Sequence, residues 1–390
     1  MSLMRSRRFF GTAVMIVLIL VVVAFAVRGE EELEIIAGPY LHYPTETTMR
    51  VGWETSVPAS AEVGFGPGAN RLTWVAGEEG QNFHTVILEG LEPGGYYFYQ
   101  VRSKTAAGDQ VESAIYTFQT AVSPEAPFSF VVLSDTQSNP VNVARLAELA
   151  WGQRPQFTLI TGDLVSKGSD KPLWNNHFFR NMSALISRVP LVPCLGNHDE
   201  DSPAYYSYFA LPDPEYCYAF TYGNLDLFVV DSQKPLLPGS EQYAWLEGAL
   251  AASKAVWKIV AMHKAAYSSD EDDYGDTTET RSGFGDVRLR RLDDLYEKYG
   301  VDIAWCGHIH SYERTYPMVQ GKPVLQGGTI YMVTGGGGGG LEKTGPWRSP
   351  FTAKVYSGHH YCLVNVFGPT MRIESYTPEG NLFDFVELKK

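Results

Sequence analysis

Residues 128–137 read FSFVVLSDTQ, an apolar run of strand length that is followed by Asp135 and Gln137. Buried strands of an α/β sheet typically have such continuous apolar sequences. Similar runs occupy residues 157–161, 191–195, 225–230, 257–262, 301–306 and 330–334. Segments with helical patterns lie between them. The alternation predicts an α/β domain over residues 128–390.

Two of the intervening segments carry clear helix signals. Apolar residues at helical spacing, with Asp286 as N-cap and Gly300 after the last turn, predict a helix over residues 287–299. Ser240 has the features of an N-cap for a second helix.

Polar motifs follow five of the predicted strands. They are Asp135-Thr136-Gln137, Gly162-Asp163-Leu164, Gly196-Asn197-His198-Asp199, His263, and Gly307-His308-Ile309-His310. Each stands at the carboxyl end of its strand, the edge where α/β sheets bind ligands. A lone Gly-Asp is usually a turn and a lone histidine is usually structural. The combination of all five is specific for a ligand site.

These motifs, with Ser311-Tyr312-Glu313-Arg314 completing the last, resemble those of the calcineurin-like metallophosphoesterases, and most closely the purple acid phosphatases. The resemblance covers residues 128–390. It implies two mixed sheets that pack face to face between flanking helices.

The resemblance also implies a two-metal site. One ion would be held by Asp135, Asp163 and His310, and the other by Asp163, Asn197, His263 and His308. Carboxylates and imidazoles suit iron, zinc or manganese. We therefore expect hydrolysis of small phosphomonoesters by metal-bound hydroxide. A phosphodiesterase or pyrophosphatase with the same site is an alternative, and a non-catalytic surface binding protein is an alternative of another class.

Four further residues are candidates for the site. His198 and Asp199 are the predicted catalytic residues: His198 would protonate the leaving group, and its structural alternative is a hydrogen bond to Asp199. Gln137 is a candidate weak ligand or pocket residue. His177 is a candidate substrate contact, although isolated histidines are usually structural.

One position departs from the purple acid phosphatase pattern. Where that family carries a tyrosinate ligand three residues after the bridging aspartate, this chain has Ser166. A serine hydroxyl is far less acidic than a phenol and supplies no anionic ligand. We therefore expect divalent ions and a colourless or faintly coloured protein.

Residues 33–120 have a different pattern, with short alternating runs separated by turn residues that include Pro39, Pro58 and Glu79-Gly80. This predicts a β-sandwich. The segment 88–101 resembles the corner before a late strand of fibronectin type III domains. Residues 121–127, with two prolines, predict a linker, and we expect the first domain to act as a spacer or lid partner.

The start of the chain predicts export. Arg5, Arg7 and Arg8 precede an uncharged apolar run over residues 9–27. Residues 1–28 are therefore interpreted as a cleaved signal peptide or as a retained membrane anchor. Both alternatives place the rest of the chain outside the cytoplasm, with any membrane contact made only through this segment.

Composition restricts the partners. The net charge of −13 gives no electrostatic reason to bind nucleic acid.

The cysteines Cys194, Cys217, Cys306 and Cys362 allow disulfides or buried thiols. We interpret the glycine run 335–340 as a flexible loop and the acidic segment 270–276 as a solvated one. Adjacent His359 and His360 would point apart, which argues against a second metal pair.

Overall fold

The computed structural model describes residues 32–270, 284–343 and 348–390. The predicted signal or anchor segment lies outside these residues. Within the described ranges, no helix has the length and apolar character that a membrane span requires.

The first domain is a fibronectin III-like β-sandwich. Its strands are β1 Ile35–His42, β2 Met49–Gly66, β3 Thr73–Leu88, β4 Tyr96–Lys104, β5 Gln110–Glu112 and β6 Tyr116–Gln119. Strand β2 is long and irregular: its first half pairs with β1 and its second half with β4, while β3 follows it along both halves.

Three predicted turns of this domain are wrong. Pro39 lies inside β1, where the pairing register shifts between Ala37 and Tyr40. Pro58 and Glu79-Gly80 lie inside β2 and β3, where the register shifts between Glu54 and Glu62. Such irregularities tolerate a proline or a positive-φ glycine within a strand because the ladder is locally broken. The three strands therefore continue through these positions.

The second domain contains the remaining strands and all the described helices. Its strands are β7 Phe128–Leu133, β8 Phe157–Ile160, β9 Leu191–Pro193, β10 Tyr218–Tyr222, β11 Leu225–Val229, β12 Trp257–Ala261, β13 Ile303–Cys306, β14 Tyr312–Thr315, β15 Met318–Val319, β16 Lys322–Pro323, β17 Ile330–Thr334, β18 Thr352–Tyr356, β19 Tyr361–Phe367, β20 Thr370–Tyr376 and β21 Leu382–Lys389. Its helices are α1 Pro140–Gly152, α2 Lys171–Leu173, a π-helix Trp174–Phe179, α3 Arg180–Ile186, α4 Pro203–Tyr208, α5 Glu241–Ala252, a 3₁₀ helix Leu289–Leu292 and α6 Asp293–Tyr299.

The strands form two mixed sheets, as predicted. The first runs β21-β20-β19-β7-β8-β9 and the second β10-β11-β12-β13-β17-β14-β18. Strands β7, β8 and β9 are parallel, and so are β11, β12, β13 and β17, while the outer strands are antiparallel. The strand ends that carry the five motifs therefore come from the parallel centre of each sheet.

The alternation of side chains explains the layering. In β12, Ile259 and Ala261 belong to the core between the sheets, whereas Val260 packs with residues of α5 and α6. Between the sheets, Phe157 stacks on Phe130 with ring centroids 4.5 Å apart and meets Phe220 at 5.2 Å. The result is two sheets enclosed by helices on both outer faces.

Both helices predicted from the sequence are present, one of them with a different first turn. Ser240 caps α5 by accepting the backbone N–H of Tyr243 at 3.2 Å. Gly300 ends α6 in the left-handed conformation, with φ 67°. The predicted helix 287–299 is instead a 3₁₀ turn from Leu289 followed by α6, because the Asp286 side chain caps Arg288 without an α-helical first turn.

The two domains are joined more closely than a linker would require. His42 of β1 pairs with Leu191 of β9, so one sheet continues from the sandwich into the second domain. Ala121 and Val122, at the start of the predicted linker, are buried in the main core. Residues 33–390 form one compact unit. The division into residues 33–120, 121–127 and 128–390 stays a prediction.

The remaining sequence alternatives are resolved where the chain is described. All four cysteines are buried free thiols. Of the acidic segment 270–276, only Asp270 is described, and it is 3% exposed.

Candidate metal centre

The candidate ligands occupy strained positions at the strand ends. Asp135 follows β7, Asp163 follows β8 and His308 follows β13, and all three have left-handed backbones with φ of 55°, 52° and 71°. Non-glycine residues rarely adopt this conformation without compensation from their surroundings. Here the tight turns aim side chains from both sheets at one point.

The first cluster forms around His263. Its Nδ1 donates to the carbonyl of Thr161 at 2.9 Å, which leaves Nε2 as the lone-pair nitrogen of the neutral ring. Nε2 faces Asp163 Oδ2 at 3.2 Å, Asn197 Oδ1 at 3.0 Å and His308 Nδ1 at 3.2 Å. Ligand atoms of Asp163, His263 and His308 all lie within 4.8 Å of one another.

The electrostatics of this cluster favour a bound cation. Burial lowers the pKa of His263, but the Asp163 carboxylate outweighs burial and raises that pKa to about 10. Burial raises the pKa of Asp163, and His263 with the backbone N–H of His198 brings it below its ordinary value. Both pKa shifts show that a positive charge between these side chains is stabilised. A bound metal ion would supply such a charge.

The second cluster forms around His310. Its Nδ1 donates to the carbonyl of Gly340 at 2.7 Å, and its Nε2 lies 3.4 Å from Asp135 Oδ1. Glu342 Oε1 lies 3.6 Å from the same Nδ1. Although burial lowers the pKa of His310, Asp135 and Glu342 raise it to about 9. A second cation is therefore favoured beside Asp135.

Gln137 lies beside this second cluster. Its Nε2 is 3.2 Å from His310 Nε2, and within the described part of the chain its buried Oε1 has no hydrogen-bond partner. A buried oxygen without a donor is costly, and a cation beside His310 would satisfy it. Together with imidazole and carboxylate donors, and no thiolate, this arrangement fits iron, zinc or manganese.

The two predicted catalytic residues have different surroundings. His198 is exposed, and its Nδ1 donates to the carbonyl of Ser166 at 3.0 Å, so Nε2 faces away from that contact. Asp199 is buried and accepts the backbone N–H groups of Gly196, Leu164 and Val165.

The structural alternative for His198, a hydrogen bond to Asp199, is therefore not what the structure shows. Burial and the nearby Asp163 charge raise the pKa of Asp199. The Asp199 carboxylate thus links the Gly162-Asp163-Leu164 and Gly196-Asn197-His198 loops through their backbone, and its predicted catalytic role stays a prediction.

His177 and His198 both form hydrogen bonds with the backbone of Ser166. It is half-buried on the π-helix, and its Nδ1 accepts the backbone N–H of Ser166 at 3.4 Å. Asn181 Nδ2 donates to the carbonyls of Asn176 and His177 at 2.7 and 2.9 Å, which compensates for the irregular helical turn. Burial lowers the pKa of His177. The structure thus brings both imidazoles to Ser166.

The glycines of the motifs are required by close packing. A Cβ at Gly196 would lie 2.1 Å from Asp163 Oδ1, and one at Gly162 would lie 2.5 Å from His263 Nδ1. A Cβ at Gly307 would lie 2.5 Å from Asp135 Oδ2. The motifs therefore combine each ligand with a glycine that makes room for a ligand on another strand.

The glycine run 335–340 is not a flexible loop. Gly337 donates its N–H to the carbonyl of Ser134 at 3.0 Å, and Gly338 and Gly339 donate theirs to the carbonyl of Asp135 at 2.7 and 2.9 Å. The run supports the Asp135 turn from behind. His359 is also tied to the run, because its Nδ1 donates to the carbonyl of Gly336 at 3.0 Å.

Two features of the site have no recognisable signal in the sequence. Glu342 contacts His310 from a loop that carries no recognisable motif. The backbone of Ser166 contacts both His177 and His198, and a main-chain contact has no residue signature. A carboxylate beside the second nitrogen of a metal-binding histidine is a recurrent device for orienting the ring.

Comparison with known proteins agrees with this architecture. Residues 128–312 match the calcineurin-like phosphoesterase family, and residues 38–120 match the purple acid phosphatase N-terminal domain. A purple acid phosphatase from yellow lupin (Lupinus luteus) seeds superposes with a TM-score of 0.80 at 21% identity, covering 90% of this chain and 74% of that one. At that identity the likeness concerns the fold alone.

The curated relatives match this chain over only part of their own length. Purple acid phosphatase 21 of Arabidopsis thaliana is 28% identical over 65% of this chain and 58% of its own length. The relative named "Probable inactive purple acid phosphatase 24", also from Arabidopsis thaliana, is 26% identical over 70% of this chain and 50% of its own. The matches therefore span only about half the length of these relatives. The family implies a dinuclear metal site.

The close packing of the motif glycines can be tested with Gly196→Ala. The new methyl group would lie 2.1 Å from Asp163 Oδ1 and 2.3 Å from the Asp163 nitrogen, so we expect the carboxylate to be displaced. After reconstitution with zinc, elemental analysis should find less than half of the wild-type metal content. Gly340→Ala is the matched control, since its Cβ would have nothing within 4 Å. Wild-type metal content in a folded Gly196→Ala protein would contradict the proposed packing.

Proposed function

We propose that this chain, whose residues 128–312 match the calcineurin-like phosphoesterase family and whose residues 38–120 match the purple acid phosphatase N-terminal domain, hydrolyses small phosphomonoesters with two bound metal ions. The observation that carries the proposal is the convergence of Asp163, Asn197 and His308 on the lone-pair nitrogen of His263. These groups offer one cation site, and the Asp135 and His310 pair offers another.

Seven residues would hold the two ions. One ion would be held by Asp135, Asp163 and His310, with Gln137 as an additional oxygen donor, and the other by Asp163, Asn197, His263 and His308. Asp163 would serve both ions. Ions bound in this way polarise a phosphoryl oxygen and lower the pKa of coordinated water toward neutrality. Iron, zinc and manganese are the metals proposed.

His198 is the proposed proton donor to the leaving alkoxide. Its Nδ1–H is fixed by the Ser166 carbonyl, so proton exchange takes place at Nε2. His177 accepts the Ser166 N–H at Nδ1, which places its own ring proton on Nε2. We assign His177 to a hydrogen bond with a phosphate oxygen of the substrate.

We also propose that the protein is exported. The support is the basic and apolar segment 1–28, as a cleaved signal or an anchor. The net charge of −13 supports a small-molecule substrate over nucleic acid.

A non-catalytic binding protein is the rival from another class, and three of the relatives are named as probably inactive. The complete set of candidate ligands favours the enzyme, because a binding protein has no need of it. Metal content separates the two: well under one transition metal ion per chain after reconstitution would remove the basis of the enzyme proposal.

A substrate panel tests the reaction. One metal-loaded preparation should be assayed against a phosphomonoester, a phosphodiester and pyrophosphate, with a chelated sample as control. We expect the monoester to give the highest kcat/KM and the chelated sample to be inactive. A diester or pyrophosphate preferred by about tenfold, or roughly 1.4 kcal/mol in transition-state stabilisation, would replace the monoester assignment.

The roles of two residues can be separated by mutation. Asp163→Ala should abolish both activity and metal pairing, because the bridging carboxylate serves both ions. His198→Ala should keep wild-type metal content while kcat falls about 10²- to 10⁴-fold, the usual contribution of a general acid or base. Loss of metal in His198→Ala would show that this imidazole is a ligand instead.

The absence of a tyrosinate at Ser166 predicts the colour. Iron-reconstituted protein should lack an intense visible charge-transfer band and should resemble a zinc-reconstituted control in that region of the spectrum. The physical reason is that a serine hydroxyl, unlike a phenol with its pKa of about 10, is not ionised for charge transfer to iron. An intense band that survives single mutation of the nearby tyrosines would contradict the proposed ligand set.

A further inference from the structure

A buried carboxylate of the first domain contacts the second domain. Glu54 in β2 is 1% exposed, and its Oε2 accepts the hydroxyl of Tyr208 at 2.6 Å. Its Oε1 forms an ion pair with Lys171 Nζ at 2.5 Å, and among the described residues this oxygen accepts no hydrogen bond. A buried carboxylate is stable only when it is paired and hydrogen-bonded, so both contacts are needed.

The two partners belong to segments that continue from the site loops. Lys171 begins α2, which leads directly into the π-helix that carries His177. Tyr208 ends α4, which follows the loop of Asn197 and His198. The single carboxylate of Glu54 therefore connects the sandwich to the chain on both sides of the candidate substrate-facing histidines.

Aromatic packing supports the same connection. The ring of Tyr208 lies 5.5 Å from that of Trp174, the first residue of the π-helix, and 4.9 Å from that of Phe83 in β3. The Lys171 ammonium lies 4.7 Å above the Phe83 ring. Tyr40 of β1 donates its hydroxyl to the Tyr208 carbonyl at 2.6 Å. The π-helix thus packs against a surface that the first domain helps to build.

A π-helix needs such support. Its hydrogen-bond geometry is rarely stable alone and occurs mostly as short segments, frequently at functional sites. Asn181 satisfies its carbonyls from the helix that follows, and the ring of Phe179 at its last position lies 4.6 Å from that of Tyr40. The position of His177 is therefore fixed by contacts from both domains.

We propose that the first domain is a working part of the phosphoesterase site and that Glu54 is a positioning residue for His177, acting through Lys171 and Tyr208. This inference rests on the proposed function for its substrate, a phosphate ester bound beside His177. Glu54 holds the π-helix in register with the metal centre. Its loss weakens substrate binding and leaves the metal ligands in place.

The test uses Glu54→Gln in the full chain. The amide keeps the shape of the side chain and loses the charge that pairs with Lys171. Glu62→Gln is the matched control, because Glu62 lies in the same strand and pairs with Arg102 of its own domain at 2.9 Å. The readouts are hydrogen–deuterium exchange over residues 171–181, metal content, and KM and kcat for a phosphomonoester.

We expect Glu54→Gln to speed exchange over residues 171–181 and to raise KM about tenfold, the scale of one charge-assisted hydrogen bond. Metal content and kcat should stay near the wild-type values. Glu62→Gln should change none of these. Unchanged exchange or unchanged KM in Glu54→Gln would overturn the proposal, and so would an equal effect in the control.

Two further variants test the route. Lys171→Met keeps a side chain of similar length at a position 52% exposed, so folding should be preserved, and it should raise KM to a similar degree. In a His177→Ala background, Glu54→Gln should raise KM no further, because coupled residues are not additive. Additive effects would show that Glu54 does not act through His177. The exchange measurement needs no activity, so it tests positioning even if the proposed reaction is wrong.

Discussion

The structure depends on one electrostatic constraint: the side chains of Asp163, Asn197, His263 and His308 present oxygen and nitrogen lone pairs to one another with too few protons to pair them. Neutral His263 has one ring N–H, and it donates this group to the Thr161 carbonyl rather than to the cluster. Only a cation or an added proton balances such an arrangement. The left-handed turns at Asp135, Asp163 and His308 and the glycines beside them become understandable as the means of bringing these groups together.

The same constraint shows why two sheets are needed. Asp163 comes from the first sheet and His263 from the second, and the core of Phe130, Phe157 and Phe220 holds the sheets at a fixed separation. The sandwich adds a third support, because it continues the first sheet through β1 and β9 and contacts the segments that carry the non-ligand histidines. Metal binding and substrate binding are in this account supported by different parts of the fold.

Much of this could be predicted from the sequence, for a physical reason. Buried parallel strands must be apolar throughout and the ligand residues must follow them closely. The predicted bounds of Phe128–Leu133 and Ile330–Thr334 are therefore confirmed, and the other strand ends before the motifs agree with the structure to within two residues. Local caps such as Ser240 and Gly300 were equally readable. These features depend on neighbours in the sequence.

The rest depends on contacts between distant segments. Pro58 reads as a turn residue, and only the irregular pairing of β2 shows that the strand continues through it. Glu342, Glu54 and the backbone of Ser166 have no motif, since their partners lie far along the chain. The backbone partners of Asp199 have no sequence signature either, and adjacency to His198 suggested a contact that the structure does not show.

The most direct test of the central claim is anomalous X-ray diffraction from crystals of metal-loaded protein, recorded on both sides of the absorption edge of the metal. We expect two peaks in the anomalous difference map, about 3.5 to 4 Å apart. One should lie among Asp135, Asp163 and His310, and the other among Asp163, Asn197, His263 and His308. A single peak, or a peak coordinated by His198 or Asp199, would contradict it.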